Sequence, residues 1–138
     1  MMKWYFLMFA FLFGFANVAN AEIVVIGSKN MPDLSKSQVK SLFLGKLNKV
    51  DGVDHVQVLY LAKGDPTRKT FNKKILKKRE NQLKSYWTKM MFTGEAKMPE
   101  SVPNSADMIA SVAKSSDTIG YADATSLNDS VKVLYKFD

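Results

Sequence analysis

The sequence predicts an α/β protein in which a small mixed β-sheet carries packed helices. Short apolar runs rich in β-branched residues have the length of buried strands, as at Ile23–Ile26 and Val56–Leu61. They alternate with segments whose apolar residues recur at helical spacing, most clearly between Glu80 and Phe92. Two further apolar runs, Thr118–Ala122 and Val131–Tyr135, are predicted as closing strands. The first strand, the first helix and the second strand would then form a βαβ unit.

The helix boundaries carry recognisable capping signals. Ser35 and Gln38 form a capping box at the start of the first helix, and Gly45 ends that helix. Asn104 or Ser105 caps the fourth helix, and the preceding segment 98–103 is predicted to be a loop. The third helix is expected to bury one apolar stripe against the sheet, made of Leu83, Tyr86, Trp87, Met90 and Met91.

The first 21 residues have the pattern of a cleavable signal peptide. A basic start at Lys3 precedes an apolar run from Trp4 to Ala16, and Ala19-Asn20-Ala21 matches a small-x-small cleavage site. The apolar run is shorter than the roughly 20 residues that a membrane-spanning helix needs. We therefore expect export to the periplasm and one domain over residues 22–138.

Composition restricts the classes of function. The chain carries a formal net charge of +7 and contains no cysteine and one histidine, His55. Disulfides, a thiol nucleophile and a histidine-based metal cluster or triad are thereby excluded. No glycine-rich nucleotide-binding loop is present either. We expect a binding protein rather than an enzyme, with no cofactor and in a monomeric state. We expect no nucleic-acid partner, because export separates the protein from nucleic acid.

The most informative stretch is the strand-to-helix turn that follows Leu61. Asp65 suits an N-cap position and Pro66 the first helical position, so Thr67 and Arg68 lie in the first turn of the second helix. Helix N-termini attract anions, although many such termini are simply well capped. Ser28 follows the first strand, where it is either a ligand contact or an ordinary turn serine.

Four segments stand in the order found in a known family. They are Val24–Ser28, Leu42–Lys46, Gly64–Arg68 with Phe71 behind it, and Ile119–Tyr121 followed by Asp123. In this combination the chain resembles the phosphate-type substrate-binding proteins of ABC transporters, as a short member. The resemblance implies a minimal version of a type II periplasmic-binding-protein lobe.

The resemblance also implies a site. Carried over by position, Ser28, Gly64, Asp65, Thr67 and Arg68 would contact phosphate or a similar small oxyanion. Asp65 replaces the serine of the family's Gly-Ser-Gly-Thr turn, which places a carboxylate where the anion would bind. A membrane transporter or a sensor would be the partner.

The alternative is a degenerate module without a small ligand, which docks on a protein or membrane partner. The basic run from Lys73 to Arg79 favours this hypothesis, although such runs are usually solvated faces.

Overall fold

The computed structural model describes residues 22–137, so the predicted signal peptide lies outside the described residues. The strands are β1 (Ile23–Gly27), β2 (Gln57–Leu61), β3 (Glu100–Val102), β4 (Thr118–Asp123) and β5 (Lys132–Phe137). The helices are α1 (Lys36–Phe43), α2 (Pro66–Phe71), α3 (Glu80–Phe92) and α4 (Ser105–Ala113). A π-helical turn (Asn72–Leu76) continues α2, and a 3₁₀ turn (Ala124–Ser126) follows β4.

All five strands form one mixed sheet in the order β3-β2-β4-β1-β5. β2 is parallel to β3 and β4, whereas β1 is antiparallel to both β4 and β5. β1 is therefore the one reversed strand of the sheet in the described part of the chain. The carboxyl ends of the other strands share an edge with the start of β1, and we call this edge the carboxyl edge.

The prediction of a βαβ unit is wrong. β4 lies between β1 and β2, and β1 runs in the opposite direction to β2. The predicted loop at 98–103 is also corrected, because Glu100–Val102 pairs with β2 as the edge strand β3. Such a short, exposed strand depends on pairing with β2 and leaves little apolar pattern in the sequence.

Most local predictions are confirmed. Ser35 and Gln38 form both hydrogen bonds of the capping box, and Asn104 caps α4 by accepting from the Asp107 backbone N–H. Leu83 and Trp87 of α3 are buried, and Tyr86 and Met90 pack against the core. Met91 is the exception in the predicted stripe, because 55% of it is exposed.

The core centres on buried aromatic rings. Phe71 stacks on Tyr121 with ring centroids 3.9 Å apart, and Phe43 meets Phe71 edge-on at 4.9 Å. The phenol of Tyr60 donates to the Phe43 carbonyl and accepts from Trp87 Nε1 at 3.3 Å. Tyr121 Oη accepts from the Leu61 backbone N–H at 3.2 Å. These contacts fix α1, α2 and α3 on the same sheet.

The buried phenols make stability sensitive to high pH. Burial raises the pKa of Tyr60 and of Tyr121 well above the usual value of about 10. Because the unfolded chain then loses these protons first, the free energy of unfolding should fall as pH rises past about 10. We expect up to about 1.4 kcal/mol per pH unit for each phenol.

Urea unfolding between pH 8 and pH 11.5 measures this slope. Tyr121→Phe, which also loses the acceptor for Leu61, should be less stable at pH 8 but show a shallower slope above pH 10. Identical slopes for the two proteins would contradict the assignment.

Candidate functional site

The turn after β2 adopts the predicted conformation. Gly64 has a φ of +93°, a region that glycine adopts without strain. The Asp65 carboxylate accepts from the Thr67 backbone N–H at 2.8 Å, and Pro66 is the first residue of α2. The Thr67 N–H is therefore already hydrogen-bonded to Asp65 and is not free to donate to an anion at this helix terminus. In addition, α2 has only six residues before the π-helical turn, which limits its dipole.

Arg68 points into the protein. Its Nε and Nη2 donate to the two carboxylate oxygens of Glu80 at 2.6 and 3.0 Å, and its Nη1 donates to the Leu61 carbonyl at 2.9 Å. The guanidinium carbon lies 5.4 Å from the centre of the Tyr60 ring, and the side chain is 3% exposed. This geometry places Arg68 in an internal ion pair between α2 and the start of α3, away from the exposed turn.

Ser28 lies at the opposite edge of the sheet from Thr67. Its hydroxyl donates to the Ser116 carbonyl at 3.1 Å, beside the start of β4. The length of β1, roughly 15 Å, separates this edge from the carboxyl edge. The predicted cradle of Ser28, Thr67 and Arg68 is therefore not assembled, because the reversal of β1 carries Ser28 away.

A small cleft of about 340 Å³ opens at the carboxyl edge. It brings Asp65 and Thr67 together with Ser105, Asp123 and Ser126. Asp123 Oδ1 accepts from the backbone N–H and the hydroxyl of Thr125, both at 2.9 Å. Its lining combines two carboxylates with hydroxyl groups and contains no lysine or arginine, so its electrostatics disfavour an anion.

A larger cleft of about 660 Å³ begins at the same turn and has the opposite character. Gly64 and Asp65 line it, and its cationic residues are Lys69, Lys73, Lys77, Lys78 and Arg79. We call this the lysine cleft. Its two carboxylates have other partners, since Asp65 caps α2 and Glu80 pairs with Arg68. The lysine cleft is therefore a concave surface with five cationic and two anionic residues in its lining.

The chain reversal between α2 and α3 forms one side of this cleft. Lys77 adopts a left-handed conformation with a φ of 56°, which is uncommon for a residue other than glycine. The chain reverses there, between the π-helical turn and α3. Asn72 fixes the reversal, because its Nδ2 donates to Glu80 Oε1 at 2.7 Å. The basic run is evident in the sequence, but no residue pattern there predicts that the chain reverses at Lys77.

No cluster of three or more potential metal ligands occurs between residues 22 and 137. Within the same range, no helix is long and apolar enough to cross a bilayer.

Comparisons with solved structures confirm the fold class. A protein from Clostridium perfringens, assigned as a phosphate ABC transporter substrate-binding protein and solved with bound phosphate, matches with a TM-score of 0.66 at 23% identity. An ABC-type phosphate transport receptor from Vibrio cholerae matches with a TM-score of 0.63 at 13% identity. PstS from Borrelia burgdorferi matches with a TM-score of 0.60 at 11% identity.

The match covers only part of these proteins. It takes in 82% of this chain but 44%, 45% and 46% of the three structures, respectively. No protein-family profile and no curated protein matches the sequence. The structural neighbours are thus phosphate-type binding proteins, and the chain shares the fold of less than half of each.

Proposed function

We propose that the protein is an exported, periplasmic solute-binding protein that binds a small oxyanion, with phosphate as the leading candidate, in the lysine cleft. The observation that carries this proposal is the placement of five cationic side chains around one concave surface beside Gly64 and Asp65. The predicted signal peptide and the fold of the neighbours support a transport role, with a membrane transporter or a sensor as partner. A binding role without catalysis is part of the proposal.

The chemistry of the cleft suits a small anion. Lysine ammonium groups bind phosphate as point charges on flexible stems and need no fixed fork geometry. Gly64 has no side chain and leaves its backbone open to close approach. Since Asp65 and Glu80 are engaged elsewhere, they offset the cationic lining only in part. Of the residues predicted from the sequence, Gly64 and Asp65 border this cleft, Thr67 borders the smaller one, and Ser28 and Arg68 border neither.

Thermal unfolding with phosphate, and with sulfate and chloride at matched ionic strength, tests this proposal. A ligand at about 100 times its dissociation constant adds roughly 2.7 kcal/mol of stability. For a domain of this size the shift in Tm is roughly 10 °C. We expect the shift with phosphate and its loss in Lys69→Gln/Lys73→Gln, which removes two exposed charges of the cleft.

The matched control is Lys46→Gln/Lys49→Gln, which removes the same charge from an exposed loop outside the cleft. Its phosphate-dependent shift should equal that of the unmodified protein. An equal shift with all three salts, or the same loss in both double variants, would refute a specific site in the lysine cleft.

A further inference from the structure

The outer face of α3 exposes an aromatic residue that the fold does not use. Phe92, the last residue of α3, is 93% exposed, and its neighbour Met91 is 55% exposed. Met98, beyond the turn that follows the helix, is 41% exposed. These are the large exposed apolar side chains of the described residues, and they occur within one short stretch of chain.

Lysines lie on the same face of the helix as Phe92. One shallow depression is lined by Asn81, Lys84, Ser85, Thr88, Lys89 and Phe92, which recur at helical spacing opposite the buried Leu83 and Trp87. A second depression adjoins it through Asn81 and Ser85 and adds Lys77 and Lys78. The lining of the two depressions contains four lysines and no carboxylate. We call this surface the α3 face.

The six residues of α3 that line the first depression are all exposed. The hydroxyls of Ser85 and Thr88 form hydrogen bonds within α3, donating to the carbonyls of Asn81 and Lys84 at 3.0 and 2.8 Å, respectively. Lys84 and Lys89 are exposed and form no salt bridge within residues 22–137. The face is thus cationic, shallow and uncovered, with an aromatic side chain projecting at one end.

We propose that the α3 face docks the protein on a bilayer surface that carries anionic lipid headgroups, with Phe92 as the apolar anchor. Lysines next to such a surface are attracted to its negative potential, and an aromatic ring inserts at the boundary of headgroups and acyl chains. The shallow shape favours a planar partner, since a bound peptide would need a groove to enclose its side chains. α3 has 13 residues and is about 20 Å long, enough to cover several headgroups.

Lys77 and Lys78 border both the α3 face and the lysine cleft, whereas Lys84 and Lys89 line the α3 face and not the cleft. Co-sedimentation with vesicles therefore tests the proposal through Lys84 and Lys89, separately from phosphate binding. The vesicles contain phosphatidylcholine alone or with 30% phosphatidylglycerol. We expect adsorption only to the anionic vesicles, and its loss when the salt is raised to about 0.5 M. Lys84→Gln/Lys89→Gln should weaken adsorption by about tenfold or more. Phe92→Ser should weaken it by about fivefold.

Two controls separate this surface from net charge and from the cleft. Lys46→Gln/Lys49→Gln removes the same charge elsewhere, and Lys69→Gln/Lys73→Gln removes it from the lysine cleft. Both should retain adsorption within about twofold, since neither pair lies on the α3 face. Equal weakening in all three lysine variants would overturn the proposal, and so would an unchanged affinity of Phe92→Ser.

A soluble polyglutamate serves as the acidic-protein probe. If the protein adsorbs to neither kind of vesicle but binds polyglutamate through Lys84 and Lys89, the α3 face binds an acidic protein and the lipid proposal is wrong. If phosphate does not raise the Tm but the protein still adsorbs to anionic vesicles, the proposed oxyanion site is refuted and the proposal for the α3 face is not affected.

Discussion

Arg68→Ala is expected to lower the free energy of unfolding by about 3 kcal/mol, the lower end of the range for a buried ion pair, because its partner Glu80 is partly exposed. The guanidinium is 3% exposed, and its partner Glu80 is 33% exposed. Removal of Arg68 leaves the Glu80 carboxylate with Asn72 as its remaining side-chain donor. It also removes the donor to the Leu61 carbonyl at the end of β2. The substitution therefore loosens the junction of β2, α2 and α3 together.

Urea unfolding monitored by circular dichroism measures this effect. Lys69→Ala, at an exposed position one residue further along α2, should change stability by no more than about 0.5 kcal/mol. Glu80→Ala should also be strongly destabilising, because it leaves Arg68 buried without its counter-charge. The apolar pair Arg68→Met/Glu80→Leu should recover much of the loss. A cost below about 1 kcal/mol for Arg68→Ala would show that the ion pair is solvated in solution.

The ion pair changes how binding experiments on Arg68 are interpreted. From the sequence alone, Arg68→Ala is the natural test of anion binding, on the expectation of little loss of stability. In the structure the same substitution threatens the fold, so lost binding would not identify a ligand contact. Lys69 and Lys73 are exposed and line the lysine cleft, which makes them the sharper test.

Phe71→Ala should cost about 3–5 kcal/mol, which is the usual cost of truncating a buried aromatic side chain. Phe71 is fully buried and lies parallel to Tyr121, with Phe43 and Phe137 at centroid distances of 4.9 and 5.8 Å. The short helix α2 has Phe71 and Arg68 as its buried residues. Loss of the ring therefore leaves a cavity and weakens the attachment of α2 to β4.

Phe92→Ala is the matched control, since it truncates the same residue type at 93% exposure. We expect its free energy of unfolding to stay within about 0.5 kcal/mol of the unmodified protein. Phe71→Leu should fall between the two, because it keeps part of the buried apolar volume. Similar stabilities for Phe71→Ala and Phe92→Ala would contradict the described core.

Predictions that depend on neighbouring residues were the accurate ones. The capping box at Ser35, the Asp65 cap and the bounds of α3 all follow from hydrogen bonds or periodicity within one or two turns of chain. Met91 shows where periodicity fails. A stripe identifies which residues share a helix face, but it does not show which of them other elements cover.

Partners distant in the sequence were not predictable by the same means. The contact of Arg68 with Glu80 spans 12 positions and crosses the reversal at Lys77, which no glycine marks in the sequence. An arginine behind a helix cap has the same local pattern whether it faces a ligand or a buried carboxylate. The difference lies in the fold that surrounds it.

The sequence by itself determined the α/β class, most of the helices and strands, and the likeness to phosphate-type binding proteins. Local propensity, capping and short motifs carry that information. The tertiary structure alone decided which way β1 runs, and hence that Ser28 and Thr67 lie at opposite edges. It also decided that Arg68 is internal and that the lysines surround a cleft. Strand direction and charge pairing depend on which distant surfaces are buried together, and one strand's apolar pattern is the same in either direction.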